Sequence, residues 1–280
     1  TVTYPDTMIT RNYVTYLTSN SVLLGAEFDK VISILLVTAI IAIALMRARR
    51  LLERAVAETA AARDLSRFFP PEIARQITQS EHRIKAGEGE AREAAILSVD
   101  IRSFTALCSR LDPSQLIALL TDYESRMVAV IQAHGGTVDK FLGDGILASF
   151  GAAVPRADYA AAALRAVDGL VAAAEDWNAD RRAAGEQPVR IGIAVASGRI
   201  IFGAIGDDTR LEYTCIGDPV NLSAKLEKHN SATGTRALTD GATYDLAVAQ
   251  GYAPPRPHPR APGVAVAGVA APVELVTLDG

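Results

Sequence analysis

Cysteine is scarce in this 280-residue chain, and there is no excess of positive charge. The two cysteines, Cys108 and Cys215, stand far apart and without metal-ligand spacing. This argues against a disulfide framework and fits a reducing compartment. Lysine and arginine number 28 against 32 aspartates and glutamates, a net charge of −4. No global basic field therefore points to nucleic acid as a partner. No internal repeat is present. Apolar residues are abundant, at 49%. The mean hydropathy of +0.17 is high for a fully soluble protein and points to a membrane segment. The length allows one or two domains with an ample core. The first residue is Thr1 rather than Met, so the chain is expected to be a piece of a longer one.

Residues 1–28 are polar and aromatic, carry no motif, and are expected to form an extracytoplasmic or inter-helix segment. Val31 to Met46 then runs without a charge. As a helix it spans about 24 Å, a little short for a bilayer core. Phe28 and the snorkelling side chains of Lys30 and Arg47 extend it. A buried core helix or a signal-peptide hydrophobic region would read similarly. A signal peptide, however, carries its positive charges first. Here Arg47, Arg49, Arg50 and Arg54 follow the apolar run, and the positive-inside rule then puts everything downstream in the cytoplasm. The expected spans are a transmembrane helix over 29–46, a helical linker over 47–91 and a mixed α/β domain over 92–280. Leu52, Ala55, Thr59, Ala62, Ser66 and Phe69 form a weak heptad seam, compatible with a two-stranded coil or a solvated single helix. Pro70-Pro71 ends that helix, a short one is expected from Glu72 to Ile84, and Ala86–Arg92 reads as a linker.

From Glu93 the pattern is mixed α and β. Ala94–Val99 reads as a buried strand. Asp112-Pro113-Ser114-Gln115 starts a helix, with Leu116, Leu119, Leu120, Tyr123, Met127 and Ile131 on one face. Gly135 to Gly151 reads as strand, tight turn, strand. Ala157–Arg182 is a helix. Arg190–Ala196 and Arg199–Ile205 are expected as two strands paired about a Ser197-Gly198 turn. Leu211–Ile216 is a short strand, Asp218-Pro219 opens a helix to about His229, and Val264–Ala267 and Val273–Leu278 are final strands.

The chemistry centres on the turn Gly143-Asp144-Gly145, which lifts a carboxylate to an exposed tip. In isolation it is an ordinary hairpin with aspartate as a turn former. The strand Ile96–Val99 also ends in a carboxylate, Asp100, and two carboxylates at neighbouring strand ends can hold hard divalent cations. Lys140 lies four residues before Asp144. Asn221 and Lys225 are four apart on one helix face, although each alone is more often a solvated residue. Arg199 follows a glycine at an expected turn, within reach of phosphate, and Thr214 lies on the short strand. Two hard-metal ligands, three cations, an amide and a hydroxyl suit a nucleoside triphosphate with its metal ions.

Four segments together resemble the class III nucleotidyl cyclase catalytic domain. They are L-S-V-D-I-R-S-F-T at 97–105, D-K-F-L-G-D-G at 139–145, S-G-R-I-I-F-G-A-I-G at 197–206 and Y-T-C-I-G-D-P-V-N-L-S-A-K-L at 213–226. The resemblance covers residues 92–280 and implies an α/β (α+β) fold, a ferredoxin-like βαββαβ-type domain. It implies that Asp100 and Asp144, with Ile101, hold two Mg²⁺ or Mn²⁺ ions. Lys140 and Thr214 match the pair that reads the purine, with Phe104 and Thr105 also at the substrate. Asn221 matches the residue that orients the ribose, and Arg199 a phosphate contact. Lysine with threonine at the purine resembles adenylate cyclases, whereas guanylate cyclases carry glutamate and cysteine. The implied enzyme is a membrane-anchored adenylate cyclase that acts on ATP as a homodimer, each site drawing on both chains. Two positions depart from the family. Lys225 stands where arginine is usual, and Ala267 where many members carry a basic residue. The alternatives are a guanylate cyclase, an inactive cyclase-like signalling module, and a diguanylate-cyclase-like enzyme. The last is disfavoured because no G-G-D-E-F or similar signature is present.

Overall fold

The computed structural model describes residues 9–18, 22–66, 73, 86–207 and 209–279, in two compact units divided at Phe68. In the first unit, β1 (Ile9–Thr10) pairs in parallel with β2 (Val22–Leu23), around the short helix α1 (Tyr13–Thr18). Helix α2 (Leu24–Ser66) runs for 43 residues. Within it, Gly25–Glu53 is long and apolar enough to cross a membrane, and none of its apolar window is buried. The seam positions from Ala55 onward lie outside the described side chains. Pro70-Pro71 and, apart from Ile73, the expected helix Glu72–Ile84 lie outside the described residues.

The second unit is built on a sheet in the order β4-β5-β3-β6-β8-β10-β9, with β7 paired to β6. Its first part runs β3 (Gly89–Ile101), α3 (Phe104–Cys108), α4 (Pro113–Ala133), β4 (Thr137–Leu142), β5 (Gly145–Phe150), α5 (Tyr159–Ala183) and β6 (Ile191–Gly206). Apart from the short α3, this is the expected βαββαβ order. The second part is β7 (Leu211–Ile216), α6 (Asp218–Thr233), β8 (Ala237–Asp240), α7 (Gly241–Ala249), β9 (Arg260–Val264) and β10 (Val273–Asp279).

Period-two alternation gives β3 two apolar faces. Ala95, Leu97, Val99 and Ile101 pack in the larger core with Tyr123, Met127 and Ile131 of α4 and Leu164, Leu170 and Trp177 of α5. Ala94 and Ile96 face a second cluster with Phe202, Cys215 and Ile73. Helix α4 starts as the sequence dictates. Asp112 accepts from the Gln115 backbone N–H at 2.9 Å, and the Gln115 side chain accepts from the Asp112 N–H at 3.1 Å. This reciprocal cap satisfies two donors that a helix otherwise leaves open.

Three expectations are corrected. The Ala86–Arg92 linker is a strand from Gly89 onward, because β6 offers it an antiparallel ladder from Gly89↔Gly203 to Ile101↔Ile191. The same ladder removes the expected turn at Ser197-Gly198. The two segments about it do not pair with each other, and β6 is continuous for 16 residues. Gly198 takes up the local distortion at φ 150°, an angle open to glycine. Arg199 is therefore a mid-strand residue opposite Glu93, not a turn residue. The strand expected over Val264–Ala267 lies earlier, over Arg260–Val264, because β10 pairs Val273 with Val264 and Val276 with Arg260.

Candidate active site

Asp100 ends the face of β3 that carries Ala94, Ile96 and Ser98. Val99 pairs with Ile146, so the β4–β5 turn comes beside the end of β3. Gly143 sits in that turn at φ 72°, a conformation glycine adopts without strain. Asp144 follows it, and its carboxyl group lies against that of Asp100. Burial, then the contact with Asp144 and its charge, then the charge of Glu227, hold Asp100 well above the usual carboxylate range. The Oδ1 atom of Asp100 is buried without a hydrogen-bond partner. Two carboxylates in contact, one with an orphaned oxygen, make a donor set suited to a hard cation. Among the described residues no group of three or more His, Cys, Asp or Glu side chains is arranged for a metal; any further oxygens would come from backbone, water or substrate phosphate. Ile101, next in the strand, is buried.

Beyond Ile101 the chain turns at Ser103, which takes a left-handed conformation at φ 57°, into α3. Phe104 and Thr105 open this helix; Phe104 is half-buried against the main core and Thr105 is exposed.

A second cluster forms where β4 approaches β7. Thr214 Oγ1 donates to Asp139 Oδ2 at 2.8 Å. Lys140 Nζ lies 3.8 Å from the same oxygen and is ion-paired with Glu212. Burial pushes the Asp139 carboxyl up to about 6, even though the Thr214 hydroxyl and the Lys140 charge act to lower it. Ile201 pairs with Ile216, Gly203 with Thr214 and Ile205 with Glu212. Directly paired residues share a face, so Thr214 and Glu212 lie among Ile201, Ile205 and Ile216, large apolar side chains that are all exposed.

Helix α6 carries the third group. Its buried residues are Pro219, Ser223, Leu226, Glu227 and Asn230. Ser223 Oγ meets Ser98 Oγ at 2.9 Å. Glu227 faces Arg102, with Oε1 3.5 Å from the guanidinium and its backbone carbonyl accepting from it at 3.0 Å. At about 100° per residue, Asn221 and Lys225 project from the opposite side of the helix. They therefore face away from the Asp100 side of their own sheet. Asn221 is exposed, and Lys225 Nζ donates to the carbonyl of Gly268, beside the exposed Ala267. Arg199 is exposed on β6, and its carbonyl lies against Gly217 at the start of α6.

The structure thus joins Asp100 with Asp144, Lys140 with Thr214 through Asp139, and Arg199 with the N-terminus of α6. No hydrogen bond or ion pair among the described residues joins Asp100 or Asp144 to Lys140, Thr214 or Arg199.

The family model described as the adenylate and guanylate cyclase catalytic domain matches residues 88–248. The chain belongs to this family. Adenylate cyclase 1 of Rhizobium meliloti is 30% identical over 175 residues, 62% of this chain and 26% of that protein. The uncharacterised protein Rv1319c of Mycobacterium tuberculosis is 34% identical over 181 residues, 64% of this chain and 32% of its own length. The chain therefore spans about a quarter to a third of these relatives. Two solved cyclases have the same fold. The adenylyl cyclase CyaB from P. aeruginosa is 30% identical with a TM-score of 0.57, covering 68% of this chain and 95% of that one. The guanylyl cyclase Cya2 is 29% identical with a TM-score of 0.58, covering 68% and 92%. Family membership fixes the class III cyclase fold and leaves the choice of purine to the site.

Sequence reasoning singled out the two carboxylates and the lysine–threonine pair. It passed over Asp139 and Glu212, which hold that pair, and Arg102 and Glu227, which join the end of β3 to α6. The only signal for Asp139 in the sequence is a carboxylate directly before Lys140.

Proposed function

We propose that this chain is an adenylate cyclase that converts ATP to 3′,5′-cyclic AMP and pyrophosphate at sites shared between two copies of the chain. The observation that carries the choice of ATP is the Lys140–Thr214 cluster where β4 meets β7. Lysine can only donate a hydrogen bond and threonine can accept one, which suits adenine N1 and its 6-amino group. Similarity to the Rhizobium and CyaB adenylate cyclases supports the same substrate.

On this reading Asp100 and Asp144, with Ile101 beside them, hold Mg²⁺ or Mn²⁺, two per site. Metal bound there would supply the positive charge that lowers the pKa of the ribose 3′-hydroxyl and neutralises the triphosphate. The 3′-oxygen attacks the α-phosphorus in line, the bond to the β-phosphate oxygen breaks, and pyrophosphate leaves. Asn221 orients the ribose, and Arg199 and Lys225 offset charge that develops on the phosphates. Phe104 and Thr105 border the substrate. Two observations support a homodimer. Asn221 and Lys225 face away from their own Asp100. Ile201, Ile205 and Ile216 expose an apolar wall around Thr214. A two-fold interface also makes two equivalent sites. The apolar run Val31–Met46 within the helix Gly25–Glu53, followed by Arg47, Arg49 and Arg50, supports a membrane anchor with the catalytic domain in the cytoplasm.

The test is product analysis. Purified protein with Mn²⁺ is offered ATP and GTP separately, and the products are resolved by chromatography. Cyclic AMP as the main product is expected. Preferential cyclic GMP would overturn the adenylate reading, and no cyclic nucleotide from either substrate would favour an inactive signalling module.

A further inference from the structure

The side chain of Asp139 is only 4% exposed. It sits at a break in the β4–β5 ladder. Val138 pairs with Ala148 and Lys140 with Leu147, which leaves Asp139 without a partner across β5. An unbroken strand would send Asp139 and Lys140 to opposite faces. The bulge re-aims the side chain, and both residues arrive at β7. There Asp139 accepts the Thr214 hydroxyl at 2.8 Å and a backbone hydrogen bond from Cys215, and it stands 3.8 Å from Lys140.

We propose that Asp139 is a specificity-determining positioning residue: by accepting the hydrogen bond of the Thr214 hydroxyl it leaves Thr214 only its lone pairs to offer, which fits the 6-amino group of adenine and disfavours the 6-oxo group of guanine. This rests on the reading of Thr214 as a purine contact. A hydroxyl has one proton to give and two lone pairs, and an ionised carboxylate only accepts. With its pKa pushed up to about 6, Asp139 is ionised above neutrality and fixes the proton on its own side. Lys140 only donates and can serve adenine N1 or guanine O6 equally. The polarity of Thr214 therefore decides between the bases.

The experiment measures kcat/KM for ATP and for GTP with the full chain purified in detergent. The variants are Asp139→Asn, Thr214→Ser, Thr214→Val and the Asp139→Asn/Thr214→Val double. In Asp139→Asn the amide oxygen can keep the Cys215 N–H while its NH₂ donates to Thr214, which frees the hydroxyl proton to face the purine. The ATP-to-GTP ratio is expected to fall by about tenfold or more, mainly through KM. Thr214→Ser should keep the wild-type ratio and Thr214→Val should lose it. The double variant should match Thr214→Val, since Asp139 acts through that hydroxyl. An unchanged ratio in Asp139→Asn, or an equal loss with both nucleotides, overturns the proposal and leaves the adenylate reading standing. If Asp139→Asn does not fold, equal ratios in the Ser and Val variants of Thr214 overturn it. A wild type that prefers GTP contradicts both readings. If the wild type turns over neither nucleotide, the cyclase reading alone fails. The Asp139 proposal is then judged by competition of ATP and GTP for binding with Ca²⁺, and equal selectivity in wild type and Asp139→Asn overturns it.

Discussion

Strand β4 holds two charged clusters that differ in how they are satisfied. Just past its end, Asp144 meets Asp100, carboxyl against carboxyl, with one Asp100 oxygen unpaired. Near its middle, Lys140 has two carboxylates, Asp139 and Glu212, and Thr214 has Asp139. Among the described residues no cation pairs with the first cluster. In the second each group already has a protein partner, and a ligand must displace or share one. On the proposed reading, the first receives ions and the second chooses among ligands by what it releases.

The comparison breaks most sharply at the turn. Asp144→Ala should lower turnover by about a thousandfold or more while the protein stays folded, because a carboxylate at an exposed turn contributes little to stability. Near-normal turnover with saturating Mn²⁺ would remove the metal reading. Lys225→Ala comes next, with a loss of about tenfold to a thousandfold in kcat, and Lys225→Arg should be neutral or faster. Wild-type turnover in the alanine variant would show that this face of α6 does not meet the reacting phosphates. Mixing tests whether the clusters of one chain serve different sites. Asp144→Ala and Asn221→Ala chains, each nearly inactive, should together regain about a quarter of wild-type activity, since half the dimers are mixed and each has one intact site. Confirmed mixed dimers that recover nothing would put the whole site within one chain. The smallest effect is expected at Glu212. Glu212→Gln frees Lys140 from a partner that the purine must displace, so KM for ATP should fall a few-fold (about two- to fivefold) with kcat unchanged. A raised KM would mean that Glu212 positions Lys140 instead of competing for it.

Much of this was legible in the sequence. The Gly143-Asp144-Gly145 turn, the Asp112 cap and the Asp218-Pro219 helix start are encoded by local chemistry, and the structure has each in place. The apolar alternation of β3 put Asp100 at a strand end. What escaped depends on pairing between distant segments. Gly89–Arg92 looks like a linker because its residues are small and charged, yet a waiting edge on β6 makes it strand. Ser197-Gly198 looks like a turn, and the same long ladder holds it extended. The bulge at Asp139 leaves no trace in composition, because it is a mismatch in register between β4 and β5. Short elements such as β8 and α7 were missed too. Ala237–Asp240 is strand because it lies between β6 and β10, a position no local pattern announces.

The contrast between the two clusters is tested most directly by thermal unfolding of the full chain in detergent, with and without Mn²⁺, for wild type and Asp100→Asn. Asparagine removes the like-charge contact with Asp144, so without metal the variant should melt at or above wild type, by up to about 3 °C. Added Mn²⁺ should raise the wild-type midpoint and leave the variant's unmoved. A metal-free variant that melts well below wild type, or equal stabilisation of both proteins by Mn²⁺, would contradict the account of Asp100 and Asp144 as a site that waits for its cation.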